Sequence, residues 1–275
     1  MRGHPAARRL CIALVIPYFA KKSSYMKRIG IILHGCGVYD GTEIQEATMA
    51  MLAIREAGAE YRCFAPDRPQ HHVINHTTGE EMPESRNILV ESARISRGQI
   101  EDIRELNPDE LNGILIPGGF GAAKNLSTWA FDGPQASVLP EVREVLLAAV
   151  RKGVPIAALC VSPVVLAKAF EGTDIHARLT LGSTAAPSPY DIAGFHAGIS
   201  QVGAQPAEAT VHEIVVDEAL KIVTAPCYMI QTFLVFGRTP KWRWSGCWRW
   251  RDAIKKGELA AHPFLSEREI VCTAI

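Results

Sequence analysis

The sequence predicts an α/β protein built on a mostly parallel, doubly wound sheet, and three observations carry that expectation. Short apolar runs bounded by charge or glycine recur along the chain: RIGIILH at 28–34, GILIP at 113–117 and PIAAL at 155–159. Strands buried on both faces read this way. Stretches with helical periodicity separate those runs, as in βαβ units. Finally, the runs end at glycine- or cysteine-bearing turns, and the carboxyl ends of parallel strands are where such folds place their sites.

The elements follow in order. After the first strand, residues 43–57 carry Ile44, Ala47, Met51 and Ile54 at helical spacing, and Gly58 marks the end. A second strand at 61–65 is stopped by Pro66, and residues 73–79 read as a short strand and turn. Residues 87–97 have mixed helical periodicity. The run at 113–117 ends in Gly118 and Gly119, with a turn leading into a helix at Lys124, which leaves Lys124 and Asn125 solvated. Helix 140–152 ends at Gly153. The strand at 155–159 is followed by helix 163–170, with Pro163 suited to its first turn. Residues 179–181 are extended, 191–202 helical, and 214–217 with 222–225 form a hairpin.

The 275 residues carry 29 basic and 29 acidic side chains, but the balance is uneven. Residues 1–25 hold five basic groups and no acidic one, residues 231–275 have a net charge of +4, and residues 26–230 a net charge of −9. An acidic body lacks the clustered Lys and Arg that phosphate contacts need, so nucleic acid is not an expected partner. No apolar run approaches the ~20 residues of a membrane-spanning helix, so no membrane partner is expected either. Seven cysteines show neither a C-x-x-C pair nor zinc-ligand spacing. Free thiols in a reducing compartment, the cytoplasm, are the reading.

Both ends read as outside the α/β body, which is placed at 26–230. Arg8 and Arg9 precede a short apolar stretch, the outline of a signal peptide, but Lys21 and Lys22 stand where a small-residue cleavage site belongs. Residues 1–25 are expected to be a non-core extension ahead of a start at Met26, with targeting and packing roles left open. In 231–275, Trp242, Trp244, Trp248 and Trp250 alternate with arginines while helical and strand periodicity stop. That segment is expected to add little to the core; interface and membrane roles stay open.

Three post-strand turns carry the chemistry. GCGVYDG has glycines at Gly35, Gly37 and Gly41, spaced G-x-G-x-x-x-G, with Asp40 where a phosphate would approach and Asp67 as a candidate ribose acid. Tight turns needing positive φ suit these glycines better than a dinucleotide. PGGFGAAKNL can turn successive backbone N–H groups toward a cavity, as an oxyanion nest does. ALCVSP places Cys160 between a buried strand and a helix start, the logic of a nucleophile elbow, where helix N–H groups and the dipole would lower the thiol pKa. Cys36 also follows a strand and is its nearest competitor. Glu43 and Glu46, in the first turn of the first helix, are the carboxyl groups that could reach such a site.

Together LHGCGVYDGTEIQEA, FAPD, VINH, PGGFGAAKNLS, ALCVSP and VDEALKIVTAPCYM resemble the ElbB branch of the PfpI/ThiJ-like superfamily, related in fold to class I glutamine amidotransferases; the match spans about residues 26–229. The resemblance implies a flavodoxin-like three-layer sandwich, a reactive Cys160, and a glutamate touching it. Family spacing, about a dozen residues before the glycine that ends the first helix, favours Glu46 over Glu43. It implies oxyanion donors at the Gly119 and Val161 backbone, with Gly118 beside them. Many superfamily members carry a His after the strand following the elbow; here the stretch reads LTLGST, with Gly182 in that place, and His176 reads as a surface loop residue. Residues 183–205 look longer than usual, and Cys227 stands where a small residue is typical.

The implied function is a glyoxalase needing no cofactor or metal, which converts glyoxal or related 2-oxoaldehydes to hydroxy acids, with a family link to isoprenoid biosynthesis. A small aldehyde is the expected partner, and the family allows a homodimer. The alternative is a non-enzymatic redox module with an oxidisable Cys160. Amidotransferase or peptidase activity would need a base beside the cysteine, and no His–acid pair is evident.

Overall fold

The computed structural model describes residues 26–185 and 187–229. The sequence expectations for residues 1–25 and 231–275, including the Trp/Arg-rich stretch, lie outside the described residues.

Seven strands form one sheet. They are β1 (Arg28–Ile32), β2 (Glu60–Ala65), β3 (Ile100–Asp102), β4 (Gly113–Ile116), β5 (Ile156–Leu159), β8 (Val215–Asp217) and β9 (Ile222–Ala225), in the order β3-β2-β1-β4-β5-β9-β8. Every pairing is parallel except β8 with β9, the expected hairpin. A separate parallel pair joins β6 (Arg178–Gly182) to β7 (Gln205–Glu208). The helices are α1 (Ile44–Glu56), α2 (Ile88–Ile95), the short α3 (Trp129–Asp132), α4 (Pro140–Arg151), α5 (Pro163–Phe170) and α6 (Ile192–Gln201).

Alternation along the strands explains the three layers. Ile29, Ile31, Leu115 and Ala157 face the apolar side of α1, packing on Ala47, Ala50, Met51 and Ile54. Ile32, Ile114, Ile116, Ile156 and Ala158 face the other way, onto Val142, Leu146, Val164, Val165 and Ile199 of α4, α5 and α6. A fully buried Ile or Leu contributes about 1.5–3 kcal/mol relative to exposure, so these central strands dominate the driving force. The chain is a flavodoxin-like α/β sandwich, as the sequence predicts.

Helix α1 shows why local sequence and fold agree. Glu43 caps its start, its carboxylate accepting from Glu46 N–H at 2.6 Å. At the far end Gly58 adopts φ +75°, Gly58 N–H donates to Arg55 O and Ala59 N–H to Ile54 O, closing a Schellman turn. Ile44, counted above with the apolar face, is in fact exposed.

Two strands escape sequence reading. β3 is a three-residue edge strand, IED, half-exposed and charged. β7 reads QPAE and is mostly exposed. Neither carries an apolar run, because neither is covered on both faces. Residues 73–79 form a turn beside one isolated bridge, Ile74 to Glu81, rather than a strand. The expected helix at Lys124 is a π-turn, Ala122–Leu126.

Candidate functional site

The sheet brings three loops together at the carboxyl ends of neighbouring strands: 33–43 after β1, 117–127 after β4 and 160–162 after β5. The first two are laced by backbone. Glu43 N–H donates to Gly118 O at 2.7 Å, Phe120 N–H to Val38 O at 2.8 Å and Gly121 N–H to Gly41 O at 2.9 Å. The Asn125 amide completes the seam, donating to His34 O and Asp40 O, both at 2.8 Å, while its oxygen accepts from His71 N–H at 2.9 Å. Asn125 is therefore 5% exposed, not solvated as its sequence context suggests.

That lacing explains the glycines of the first loop. Gly35 and Gly37 take φ +114° and +135°, and a side chain on Gly35 would meet Gly41 Cα at 2.9 Å. Asp40, 4% exposed, accepts from Ile74 N–H at 2.7 Å. The loop is a folded brace, in line with the turn reading of its glycines. Asp67 is exposed and holds the Asn87 amide at 2.8 Å.

Cys160 sits at the top of β5 with φ +56°, a left-handed conformation in a non-glycine residue. Such backbone costs about 1–2 kcal/mol and persists only where the surroundings impose it. Cys160 N–H is held by Ala225 O at 2.9 Å, and Ser162 N–H closes the turn onto Leu159 O, before Pro163 opens α5. The backbone N–H groups of Gly119 and Val161, the positions named by the resemblance, act on the sulfur to favour its thiolate.

Glu46 is 1% exposed, and its carboxylate and Cys160 both border Gly118. Its Oε2 accepts from Gly118 N–H at 2.7 Å. A methyl group on Gly118 would overlap both Glu46 Oε2 and Cys160 Cβ, and would reach Cys160 Sγ at 3.1 Å. Only glycine leaves the carboxyl and the thiol room to converge here. Glu43, by contrast, caps α1, and it is Glu46 whose carboxylate meets Gly118 beside Cys160.

The electrostatics correct one expectation. The thiol pKa is raised, not lowered: burial pushes it up most, the Glu46 charge next, and the N–H donors of Gly119 and Val161 pull it back only in part. Cys160, a 7% exposed residue, loses more solvation than the short helix start returns. A proton on Glu46 would remove the second cause and leave both N–H donors favouring thiolate. The carboxyl group thus acts on the thiol through its charge.

Sequence reasoning missed the support beneath this pair. The Pro117 carbonyl accepts from His34 Nε2 at 3.1 Å and from Ser162 Oγ at 2.5 Å. The same peptide's N–H, at Gly118, is the one that holds Glu46. His34 is fully buried, and burial lowers its pKa to about 4, so it stays neutral and donates through Nε2. Both residues stood inside the quoted motifs, LHG and VSP, but nothing in spacing says that they meet. Tyr190 is the other unforeseen neighbour: burial and then the Cys160 charge push its hydroxyl up, and its ring meets Phe120 edge-on at 5.8 Å. His176 is exposed, with Nδ1 on Gly203 O at 2.9 Å, and Gly182 takes φ +138°. Cys227 is half-buried at φ +45°.

Among the described residues, no group of three or more His, Cys, Asp or Glu gathers where a metal could bind, and no helix is long and apolar enough to cross a membrane.

Comparison with known proteins settles the family. A human protein, glutamine amidotransferase-like class 1 domain-containing protein 3, mitochondrial, is 42% identical over 236 residues, covering 84% of each chain. The chain belongs to this glutamine amidotransferase-like, ES1 family. The rat ES1 protein homolog, mitochondrial, is 43% identical over 211 residues, 75% of this chain and 77% of its own. Among solved structures, an isoprenoid biosynthesis protein with an amidotransferase-like domain from Ehrlichia chaffeensis superposes with a TM-score of 0.67 at 33% identity, covering 76% of this chain and 91% of that one. No family model matches the chain. The expected relationship to class I glutamine amidotransferase-like proteins is borne out. The cytoplasmic expectation is overturned, because both curated relatives are named as mitochondrial proteins. Free thiols report redox conditions, not the compartment that maintains them.

Proposed function

We propose that this ES1-family protein is a cofactor-independent glyoxalase of mitochondria that acts on glyoxal or related 2-oxoaldehydes through Cys160 and Glu46. The observation that supports this most is the convergence at Gly118 of a thiol held at φ +56° and a buried carboxyl group, with two N–H donors on the sulfur. Proximity of this kind supplies nucleophile, proton carrier and charge stabilisation at one point.

The chemistry runs without an external oxidant. Glu46 takes the thiol proton as Cys160 sulfur bonds to one aldehyde carbon and passes it to the resulting alkoxide, which gives a hemithioacetal and restores the carboxylate. Glu46 then removes the hydrogen on that carbon as a proton, giving an enediol, and the proton is returned to the second carbon. One carbon is oxidised to a thioester while the other is reduced to an alcohol. Water displaces the sulfur and releases glycolate, restoring the thiol. The N–H groups of Gly119 and Val161 face the sulfur's surroundings, where negative charge develops on oxygen.

Glyoxal conversion to glycolate in the absence of glutathione tests the reading. Activity is expected in the native chain and absent in Cys160→Ser; glycolate formation by Cys160→Ser at the parent rate would sink it. The redox-sensor alternative finds less support, because oxidation favours exposed, low-pKa thiols and Cys160 is neither. Amidotransferase or peptidase chemistry needs a histidine base, and His34, the buried imidazole in this region, is committed to Pro117.

A further inference from the structure

The PGGFGAAKNL loop holds one group that the reaction does not use. The π-turn carries Lys124 back over the first loop, where its Nζ donates to Tyr39 O at 2.9 Å and lies 5.7 Å from the Phe120 ring centroid. π-turns concentrate at functional positions, because they reorient one side chain inside an otherwise fixed backbone. Here the result is a half-buried ammonium, and burial lowers its pKa.

Among the described residues no carboxylate lies within ion-pair distance of it. The acidic groups that face it are Asp40 and Glu81. The Asp40 carboxylate is buried, accepts from Ile74 N–H and stands 3.8 Å from His76 Nε2. Glu81 is exposed to solvent. On the other side, burial lowers the His72 pKa most; the charges of His71 and Lys124 add to this, and those of Glu81 and Asp40 oppose it. An ammonium carries three donors, and the structure gives this one a single carbonyl acceptor.

Those donors border a cavity of about 350 Å³ lined by Tyr39, Ile74, Gly79, Phe120, Lys124 and Ala130. A second cavity, about 400 Å³, shares Phe120 and Ala130 with it and reaches Val161, whose N–H bonds the Cys160 sulfur. The second cavity is also lined by Asp191, whose carboxylate caps α6 by accepting from Gly194 N–H. The first has apolar walls with one fixed charge, the usual make-up of a small-molecule site. A partly desolvated cation without a counter-ion attracts an anionic oxygen group more strongly than a surface lysine does.

The geometry points to an anion subsite over Lys124, which receives the carboxylate or phosphate of a small molecule. Linked to Cys160 through Phe120, it selects carbonyl substrates that carry such a group. That substrate assignment rests on the glyoxalase reading; the anion site itself does not.

Calorimetry on the full chain carrying Cys160→Ser separates the two, since this protein binds without reacting. Inorganic phosphate and succinate are the probes, and the tighter one identifies the anion class. Binding of at least one is expected at millimolar or lower concentration, weakening with salt. Adding Lys124→Met, which keeps the apolar stem, should weaken it at least about tenfold, while Lys124→Arg stays within roughly threefold. Equal binding in the Lys124→Met protein, with its melting temperature retained, overturns the assignment. So does failure of both anions to bind the Cys160→Ser parent at about 10 mM.

Discussion

Two loops of this protein pose the same backbone problem and solve it differently. After β1 the chain turns through positive φ twice, at Gly35 and Gly37, and Cys36 between them is half-buried with an ordinary backbone. After β5 the turn also needs positive φ, and Cys160 itself takes it, at +56°. In the first loop glycine removes the strain, and the cysteine is incidental to a brace. In the second the strain is retained, and it sets a sulfur under two N–H donors beside a carboxyl group. A cysteine after a strand is thus not a site by position alone; convergence with a neighbouring loop makes it one.

The sharpest way to break this comparison is to exchange the sulfurs. Cys160→Ser should reduce glyoxal turnover by about a thousandfold or more, since the nucleophile is removed. Cys36→Ser should leave it within about twofold, because its loop contributes backbone. Measured turnover rates falling equally in both variants would erase the distinction.

Next in size is Gly118→Ala. Its methyl group must displace Glu46 or Cys160. Turnover is expected to fall about a hundredfold through misplacement of the pair. Denaturant melts should show a loss of about 1–3 kcal/mol, the usual cost of overpacking.

A third test reaches the support beneath the site. His34 has a pKa near 4 in the folded protein, against 6.5 for an unperturbed histidine. The unfolded chain therefore binds more protons below pH 6.5. The stability due to neutral His34 is complete above that pH and is lost as the pH falls toward 4, by up to roughly 3 kcal/mol. His34→Gln, neutral throughout, should flatten that part of the stability–pH curve. Smaller still is Ser162→Ala, expected to cost about 1 kcal/mol by removing one donor from the Pro117 carbonyl.

Sequence and structure agree where burial is two-sided. β1, β4 and β5 announce themselves as apolar runs, and Glu43, Gly58 and Pro163 punctuate the helices by local chemistry. β3 and β7 were illegible because an edge strand needs no such run. Cys160, Glu46, Gly119 and Val161 could be named from motifs and family spacing. What spacing does not encode is contact across loops: the His34 and Ser162 bonds to Pro117, the Asn125 seam, and Tyr190 near the thiol. Nor does it encode the balance of burial against helix-start donors, which is why the thiol pKa moves opposite to the expectation from the helix dipole.

The central claim, that the Glu46 carboxyl group is electrostatically coupled to the Cys160 thiol, is tested most directly by the pH dependence of iodoacetamide labelling, followed by peptide mapping in the parent and in Glu46→Gln. Burial and the Glu46 charge raise the thiol pKa in the parent, so labelling of Cys160 should rise only at high pH. Removing that charge should move the Cys160 midpoint down, and labelling at neutral pH should speed up even as turnover falls. The Cys36 profile should stay where it is. A Cys160 midpoint unchanged by Glu46→Gln would contradict the coupling.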